Sequence, residues 1–560
     1  MPIRITRRGA LFSATGLAFA AAACSSGPRR PEPEAQTGPF RHGVASGEPD
    51  QTSVVLWTAI TDDAGGEYVF QLAADESFET IIFEEREERT YVTSNAISTF
   101  KTIATGLEPG TVYFYRMLFN GISSPVGRTK TLPAGAVERF NMAVCSCSNY
   151  PAGYFNAYRE LANTPDLDLV LHLGDYIYEY SADGYASDEA ENMGRVVDPL
   201  HELVDYGDYA RRHALYKTDP DLQAAHAAAP WLMMWDDHEV ANDSWTQGAE
   251  NHNEGEGAYD ARVFNAMRAY HDWNPTREPA DQIGTARIAE IGDLATLVMT
   301  ESRLVARDEP MDFSTFPIAD NADPDDPANQ QAIAEWRANE IGRDDREMLG
   351  AAQIAQIADA FEAAASKPWR LLGGQVVMGR VETPNMIEAL PGWLKFIVAQ
   401  TDDLAWGYIT RSQFDIPFNL DAWDGYVAER ERLYNAVRAS GGDMIAFAGD
   451  SHNFWTNRLT DDAGRQIGFE FGTSSITSPS PFERVPAPGV SFSRLIEQKN
   501  PDVIRHNDRA KGFIRVTVTP EAVEADFVTV STIRRRGYTP GSDSRWRVTR
   551  GPGGLELGVI

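Results

Sequence analysis

Between about residues 40 and 135, apolar and polar positions alternate with a period of two. The stretches 52–59, 68–73, 98–104 and 111–120 are rich in Val, Ile, Thr and aromatic residues, with turn signals between them such as Leu107-Glu108-Pro109-Gly110. That pattern belongs to strands half-buried on a pleated surface, and it predicts a small all-β sandwich of fibronectin or immunoglobulin type. No charged constellation falls within it, so it reads as a structural or docking module. The run from Thr129 to Ala136, with Pro133 and Gly135, closes it as a linker.

From Phe140 the period changes. Mainly apolar runs at 140–144, 168–173, 231–235, 294–299, 369–372 and 444–448 predict buried strands, and helical spacing appears at 152–162, 261–272, 352–366 and 426–439. The last two helices lead into strands, which predicts an α/β architecture of sheets flanked by helices. Residues 512–519 and 523–531 read as paired strands completing a sheet edge, while the acidic, weakly periodic segments 181–208 and 310–346 read as insertions over the functional face. The chain carries no internal repeat.

Composition narrows the partners. A net charge of −32 on 560 residues leaves no basic stripe to neutralise a polyanionic backbone, so nucleic acid is not expected. A small phosphate ester stays open, because bound cations reverse the local field. Arg7-Arg8 precedes an apolar run from Ala10 to Ala23 that is too short to span a bilayer, which reads as a twin-arginine export signal and makes that export machinery an expected partner. Ala21-Ala22-Ala23-Cys24 resembles a lipoprotein box with Ala where Leu is usual; lipidation of Cys24 and plain cleavage after an Ala-x-Ala site both stand. The expected location is periplasmic or at the cell envelope, with membrane attachment only through Cys24. Cys145 and Cys147, two apart on one extended strand, are poorly placed for a disulfide. Cys145 reads as a small buried hydrophobe, whereas Cys147 falls at the polar end of its run.

The candidate chemistry lies where the runs end. Four clusters follow strand signals: Ser146-Cys147, Gly174-Asp175-Tyr176-Ile177-Tyr178, Asp236-Asp237-His238-Glu239 and Gly449-Asp450-Ser451-His452. Loops at the carboxyl ends of strands in an α/β sheet converge on one crevice, so ligands distant in sequence can serve one metal cluster. A carboxylate at Asp175 can bridge two cations, and Tyr178 can turn back toward the same centre if its loop begins a helical turn. Thiolate with phenolate favours trivalent iron, and the carboxylates beside them suit calcium or magnesium. The set therefore predicts a binuclear or larger metal centre that cuts phosphate esters. Arg303 can clamp a phosphate oxygen or form a structural salt bridge, and Gln375 can touch the phosphate or satisfy a buried loop. His172 lies inside a strand and stands behind the ligands at most; the other histidines read as surface or core.

Taken together these stretches resemble the PhoD family of alkaline phosphatases and phosphodiesterases, relatives of the purple acid phosphatases. The matching residues are Gly43-Val-Ala-Ser-Gly-Glu-Pro49, Ser146-Cys-Ser-Asn-Tyr150, His172-Leu-Gly-Asp-Tyr-Ile-Tyr-Glu-Tyr180, Trp235-Asp-Asp-His-Glu-Val240, Gly374-Gln-Val-Val-Met378 and Gly449-Asp-Ser-His452. The resemblance implies a calcineurin-like metallophosphoesterase core with Fe(III) and calcium. It puts Cys147, Asp175, Tyr178 and His452 on iron, Asp175, Asp237 and Asp450 on the calcium side, and Asn242 as a further calcium ligand, with Asp243 the competing choice. His238 and Asp237 then stand in the catalytic set with Arg303, His238 near the scissile phosphate. Water activated by the metals is the expected nucleophile, because the motifs offer no well-activated serine or cysteine.

The expected division is residues 1–26 as signal, 27–39 as linker, 40–135 as the β-sandwich and 136–560 as the catalytic domain. The expected function is exported hydrolysis of organic phosphate mono- and diesters. Two alternatives accompany it: a phospholipase D-like or polymer-directed phosphodiesterase on the same site, and a non-catalytic surface lipoprotein stabilised by its metals.

Overall fold

The computed structural model describes residues 32–560 apart from 62–64, 90–96, 281–282, 285, 320–321, 402 and 485–488, so the export signal and Cys24 lie outside the described residues. Two large sheets face each other. In the first, Phe140–Cys145, Leu169–His172 and Trp231–Met233 run parallel, with Val170 opposite both Ala143 and Trp231. In the second, Ala295–Met299, Trp369–Gly373, Met444–Ala448 and Gln466–Gly472 run parallel. Leu169–His172, Ala295–Met299, Trp369–Gly373 and Met444–Ala448 are buried at every position, as a parallel strand covered on two sides requires.

One core fills the space between the sheets, with Val144, Leu171 and Met233 meeting Leu297, Leu371 and Phe471. Helices cover the outer faces; Gly350–Ala363 and Val427–Ala439 bury Ile357, Phe361, Leu433 and Val437 against the second sheet. The carboxyl ends of both sets of parallel strands open on the same rim, and a parallel bridge from Ser146 to Ser475 ties the sheets together there. This α/β sandwich of sheets flanked by helices, with an all-β unit before it, is the predicted fold class.

Three placements differ from the sequence reading. Lys511–Val518 and Ala522–Val530 do not form an edge: the former pairs with Phe140–Cys145 in the middle of a ten-stranded sheet, whose edges are Gly554–Val559 and Ser98–Thr105. The outer strands Pro540–Gly551 and Gly554–Val559 escaped notice because exposed polar and charged residues interrupt their apolar positions. The N-terminal unit is also continuous with the larger α/β unit. Its strands Val44–Gly47, Ser53–Ile60 and Ser98–Thr105 extend the same ten-stranded sheet through the parallel pair Gly47 and Trp231. A Cβ at Gly47 would come within 2.3 Å of the Pro275 carbonyl oxygen, so only glycine permits that junction.

Segments 181–208 and 310–346 differ in role. Tyr185 reaches the ligand rim, where its hydroxyl donates to the Pro479 carbonyl at 2.7 Å. No described residue of 310–346 lines the rim cavity; its wall comes from the unforeseen short helices Met386–Ala389, Gly392–Thr401 and Asp403–Arg411.

Candidate metal centre and active site

The loops that leave the parallel strands bend sharply. Cys147, Asp175, Asp243, Asp450 and His452 all have φ between 52° and 61°, the left-handed region that costs a side chain about 1 kcal/mol or more. The turns aim these side chains back over the strand ends. Gly174 lets two loops touch, because a Cβ there would lie 2.4 Å from the Cβ of Asp236. Glu239 fastens the same junction: its carboxylate accepts from the backbone N–H groups of Asp175 at 3.0 Å, Tyr176 at 2.6 Å and Asp236 at 2.9 Å.

Two ligand groups result, sharing Asp175. Ligand atoms of Cys147, Asp175 and His452 lie within 4.8 Å of one another, as do those of Asp175, Asp237 and His238, and a third set joins Asp236, Asp237 and Asp450. Tyr178 closes the first group. Its hydroxyl donates to Asp175 at 3.0 Å, lies 3.2 Å from His452 Nε2 and accepts from Ser478 at 2.6 Å. His452 Nδ1 lies 2.9 Å from the Pro479 carbonyl, which requires the proton there and turns the Nε2 lone pair toward the group. Burial, with the charge of Lys511 behind it, lowers the His452 pKa to about 3 and keeps the imidazole neutral.

The electrostatics are those of a site built to receive cations. Oδ1 of Asp175, Oδ1 of Asp237 and Oδ2 of Asp236 are buried with no hydrogen-bond partner. Burial pushes the carboxyls of Asp175 and Asp450 well above the ordinary range, and neighbouring carboxylates push them further. Burial also raises the Cys147 thiol and the Tyr178 phenol, again with Asp175 adding to it. Unpaired buried carboxylate oxygens beside a thiol, a phenol and a lone-pair imidazole fit hard and trivalent cations.

Arg303 does not line the cavity. Fully buried, it pairs with Asp236 through Nε and with both oxygens of Asp421 through Nη1 at 2.9 and 3.0 Å, while Nη2 lies 3.5 Å from Asp237 and 3.9 Å from Asp450. Its contacts are those of the salt-bridge alternative. Arg303 and His238 together outweigh burial at Asp237 and lower its pKa to about 2. Gln375 is a buried amide donating to the Thr300 carbonyl at 2.7 Å. The Asn242 amide N–H donates to Glu250 at 3.2 Å, and Asp243, its backbone N–H on Asp237 at 2.6 Å, is pushed up to about 8 by burial and the charges of Asp421 and Asp237. Both Asn242, whose amide oxygen is left free by that bond, and Asp243 line the cavity beside Asp237. His172 stays behind the ligands, with Nε2 3.0 Å from the Tyr158 hydroxyl.

Matches to known families now bear on this geometry. The model described as PhoD-like phosphatase matches residues 142–527, and that of the PhoD-like phosphatase N-terminal domain matches residues 23–133. The chain belongs to the PhoD-like phosphatases. Alkaline phosphatase D of Bacillus subtilis strain 168 is 31% identical over 512 residues, covering 87% of this chain and 77% of the relative. A solved structure of PhoD superposes with a TM-score of 0.73 at 28% identity, covering 94% of this chain and 93% of its own. As a PhoD-like phosphatase the protein is a hydrolase of phosphate esters, which sets the non-catalytic lipoprotein alternative aside.

Glu179 was not foreseen, although it stands four residues beyond Asp175 in the same aromatic stretch. It is fully buried and accepts from His238 Nδ1 at 2.7 Å, from the Asn242 backbone at 2.9 Å and from the Asn251 amide at 2.7 Å. Burial opposes a charged His238, but the carboxylates of Asp237, Glu179 and Asp175 prevail and raise its pKa well above 6.5. The raised value means that folding favours the imidazolium, a contribution complete below pH 6.5 and lost as pH rises through the folded pKa. Glu179→Gln should move the alkaline limb of the pH–rate profile down by about one unit or more and cost roughly 10- to 100-fold in kcat. An unmoved limb in that profile would show that His238 does not depend on Glu179.

Proposed function

We propose that this PhoD-like phosphatase is an exported, metal-dependent enzyme that releases phosphate from organic mono- and diesters. The export signal at residues 1–26, the linker at 27–39 and the division into 40–135 and 136–560 belong to the same reading. The observation that carries it is the meeting of Cys147, Asp175 and His452 within 4.8 Å, next to a carboxylate group that shares Asp175.

In this reading Cys147, Asp175, Tyr178 and His452 would hold Fe(III), while Asp175, Asp237 and Asp450, with Asn242 or Asp243, would hold calcium. Bound cations would supply Lewis acidity toward the phosphate oxygens and a water acidic enough to attack near neutral pH. The chain's own residues do the rest. His238, its Nδ1 held by Glu179, turns Nε2 toward the cavity, where the imidazolium offsets developing charge or gives its proton to the leaving alcohol. Arg303 keeps Asp236 and Asp237 aimed at the cluster without touching substrate.

The test is metal analysis and an absorption spectrum of the folded protein, followed by assay on p-nitrophenyl phosphate and its bis-ester. The expected result is about one iron per chain with calcium, a visible band lost in Cys147→Ser or Tyr178→Phe, and turnover that chelation lowers at least about a hundredfold. Zinc alone, or turnover indifferent to chelation, would overturn the ligand assignment.

A further inference from the structure

The cavity at the rim encloses about 510 Å³, within the range that holds an organic ligand of drug size. Its two sides differ in chemistry. Asp237, His238, Asp450 and His452 form one side, and Leu390, Val398, Ile409, Phe418, Phe482 and Phe492 dominate the other. None of the lining residues contributed by 386–418 and 481–492 is charged. Leu390, Val398, Ile409, Phe482 and Phe492 belong to one buried apolar cluster, so the wall is fixed from behind. Phe482 stacks on Phe492 with centroids 4.6 Å apart and on Phe418 at 5.6 Å. Tyr408, the one phenol on this side, directs its hydroxyl at Thr383.

A sugar or glycerol group placed against such a wall would lose water from its hydroxyls and find few partners. An apolar group gains there what it gains by leaving water. Resting on the phosphoesterase reading above, we infer that the preferred substrate is an ester of phosphate with a bulky apolar alcohol. Its phosphate faces His238 and Asp450, and its alkyl or aryl group lies against Phe482 and Val398. In the reaction a water oxygen bonds to phosphorus, the P–O bond to the alcohol breaks, and the leaving oxygen takes a proton, giving the apolar alcohol and inorganic phosphate.

The experiment is kcat/KM of the metal-replete enzyme on n-alkyl phosphates from ethyl to octyl, below micellar concentrations, read as phosphate release. Leaving-group acidity hardly changes along that series, so its slope reports binding of the chain. Full burial of each methylene is worth up to about fourfold, and we expect at least about a thirtyfold rise from ethyl to octyl. Phe482→Ser and Val398→Asn should each cut the octyl-to-ethyl ratio at least about fivefold; taking the ratio within one variant cancels any loss of folded protein. Calorimetric binding of octylphosphonate against ethylphosphonate gives the same comparison without turnover and should favour octyl by a similar factor. A flat or falling series with good turnover overturns the inference and leaves the phosphoesterase reading intact. No turnover of any ester overturns that reading, and the phosphonate ratio then still decides whether the wall binds apolar chains.

Discussion

Asp175→Asn should cost at least about a thousandfold in kcat, roughly 4 kcal/mol of transition-state stabilisation, while the protein still unfolds in one cooperative step. The carboxylate is the residue common to two ligand groups, with one oxygen taken by Tyr178 and the other without a partner. An amide keeps the shape but brings no charge to two cations. The stability effect has the opposite sign when metal is removed. Burial raises the Asp175 pKa above its unfolded value, so the ionised group opposes folding increasingly as pH rises from the ordinary carboxylate range toward the raised value. At neutral pH the metal-free variant should therefore melt at or above the temperature of the metal-free parent. Retained turnover in Asp175→Asn, measured on an aryl phosphate with metal content checked, would remove the bridging role.

Arg303→Met should lower the unfolding free energy by roughly 3–5 kcal/mol, the cost of breaking a buried ion network on one side. The loss falls chiefly on Asp236, left facing Asp237 in a dry interior, while Asp421 keeps its ion pair with Arg307. Burial already holds Asp236 up at about 6 despite the guanidinium, and its removal raises that value further. A raised carboxyl pKa means destabilisation that fades on acidification, so the penalty should be greatest near neutral pH and shrink toward pH 5. Arg303→Lys restores the charge without the fork that reaches Asp236 and Asp421 together, and should recover less than half of the loss. Denaturant titrations at two pH values check both statements; a penalty independent of pH would show that packing and not charge is what Arg303 provides.

Much of this site was legible because its causes are local. Apolar runs ending in Gly174-Asp175 or Gly449-Asp450 mark both a buried strand and a polar residue at its carboxyl end, and the structure puts Asp175 and Asp450 there. The roles of Glu179, Asp236 and Glu239, and Asp421 altogether, were not legible. A carboxylate inside a motif carries no sign of whether it faces a cation, a histidine or an arginine, because that depends on loops whose contacts lie 59 to 118 residues away. The apolar wall was missed for a related reason. Its helices are short, and their inward positions, such as Leu394 and Val398, alternate with exposed Trp393, Phe396 and Ile397, so no single apolar stripe stood out. Charge hid one strand altogether: Ile81–Arg89 carries Glu and Arg on both faces and is held by pairing to Gly66–Ala73.

The position of Phe140–Cys145 sets a schedule for biosynthesis. That strand has Leu169–His172 on one side and Lys511–Val518 on the other, with Val144 opposite Ile514. On the ribosome its second neighbour does not exist until nearly the whole polypeptide has been made. The turn bearing Cys147 also leans on Ser475, another late arrival. Pairing over such separations is slow, and an open strand edge meanwhile invites wrong partners. The nascent chain therefore has no finished set of candidate ligands until the last strands have closed the sheet.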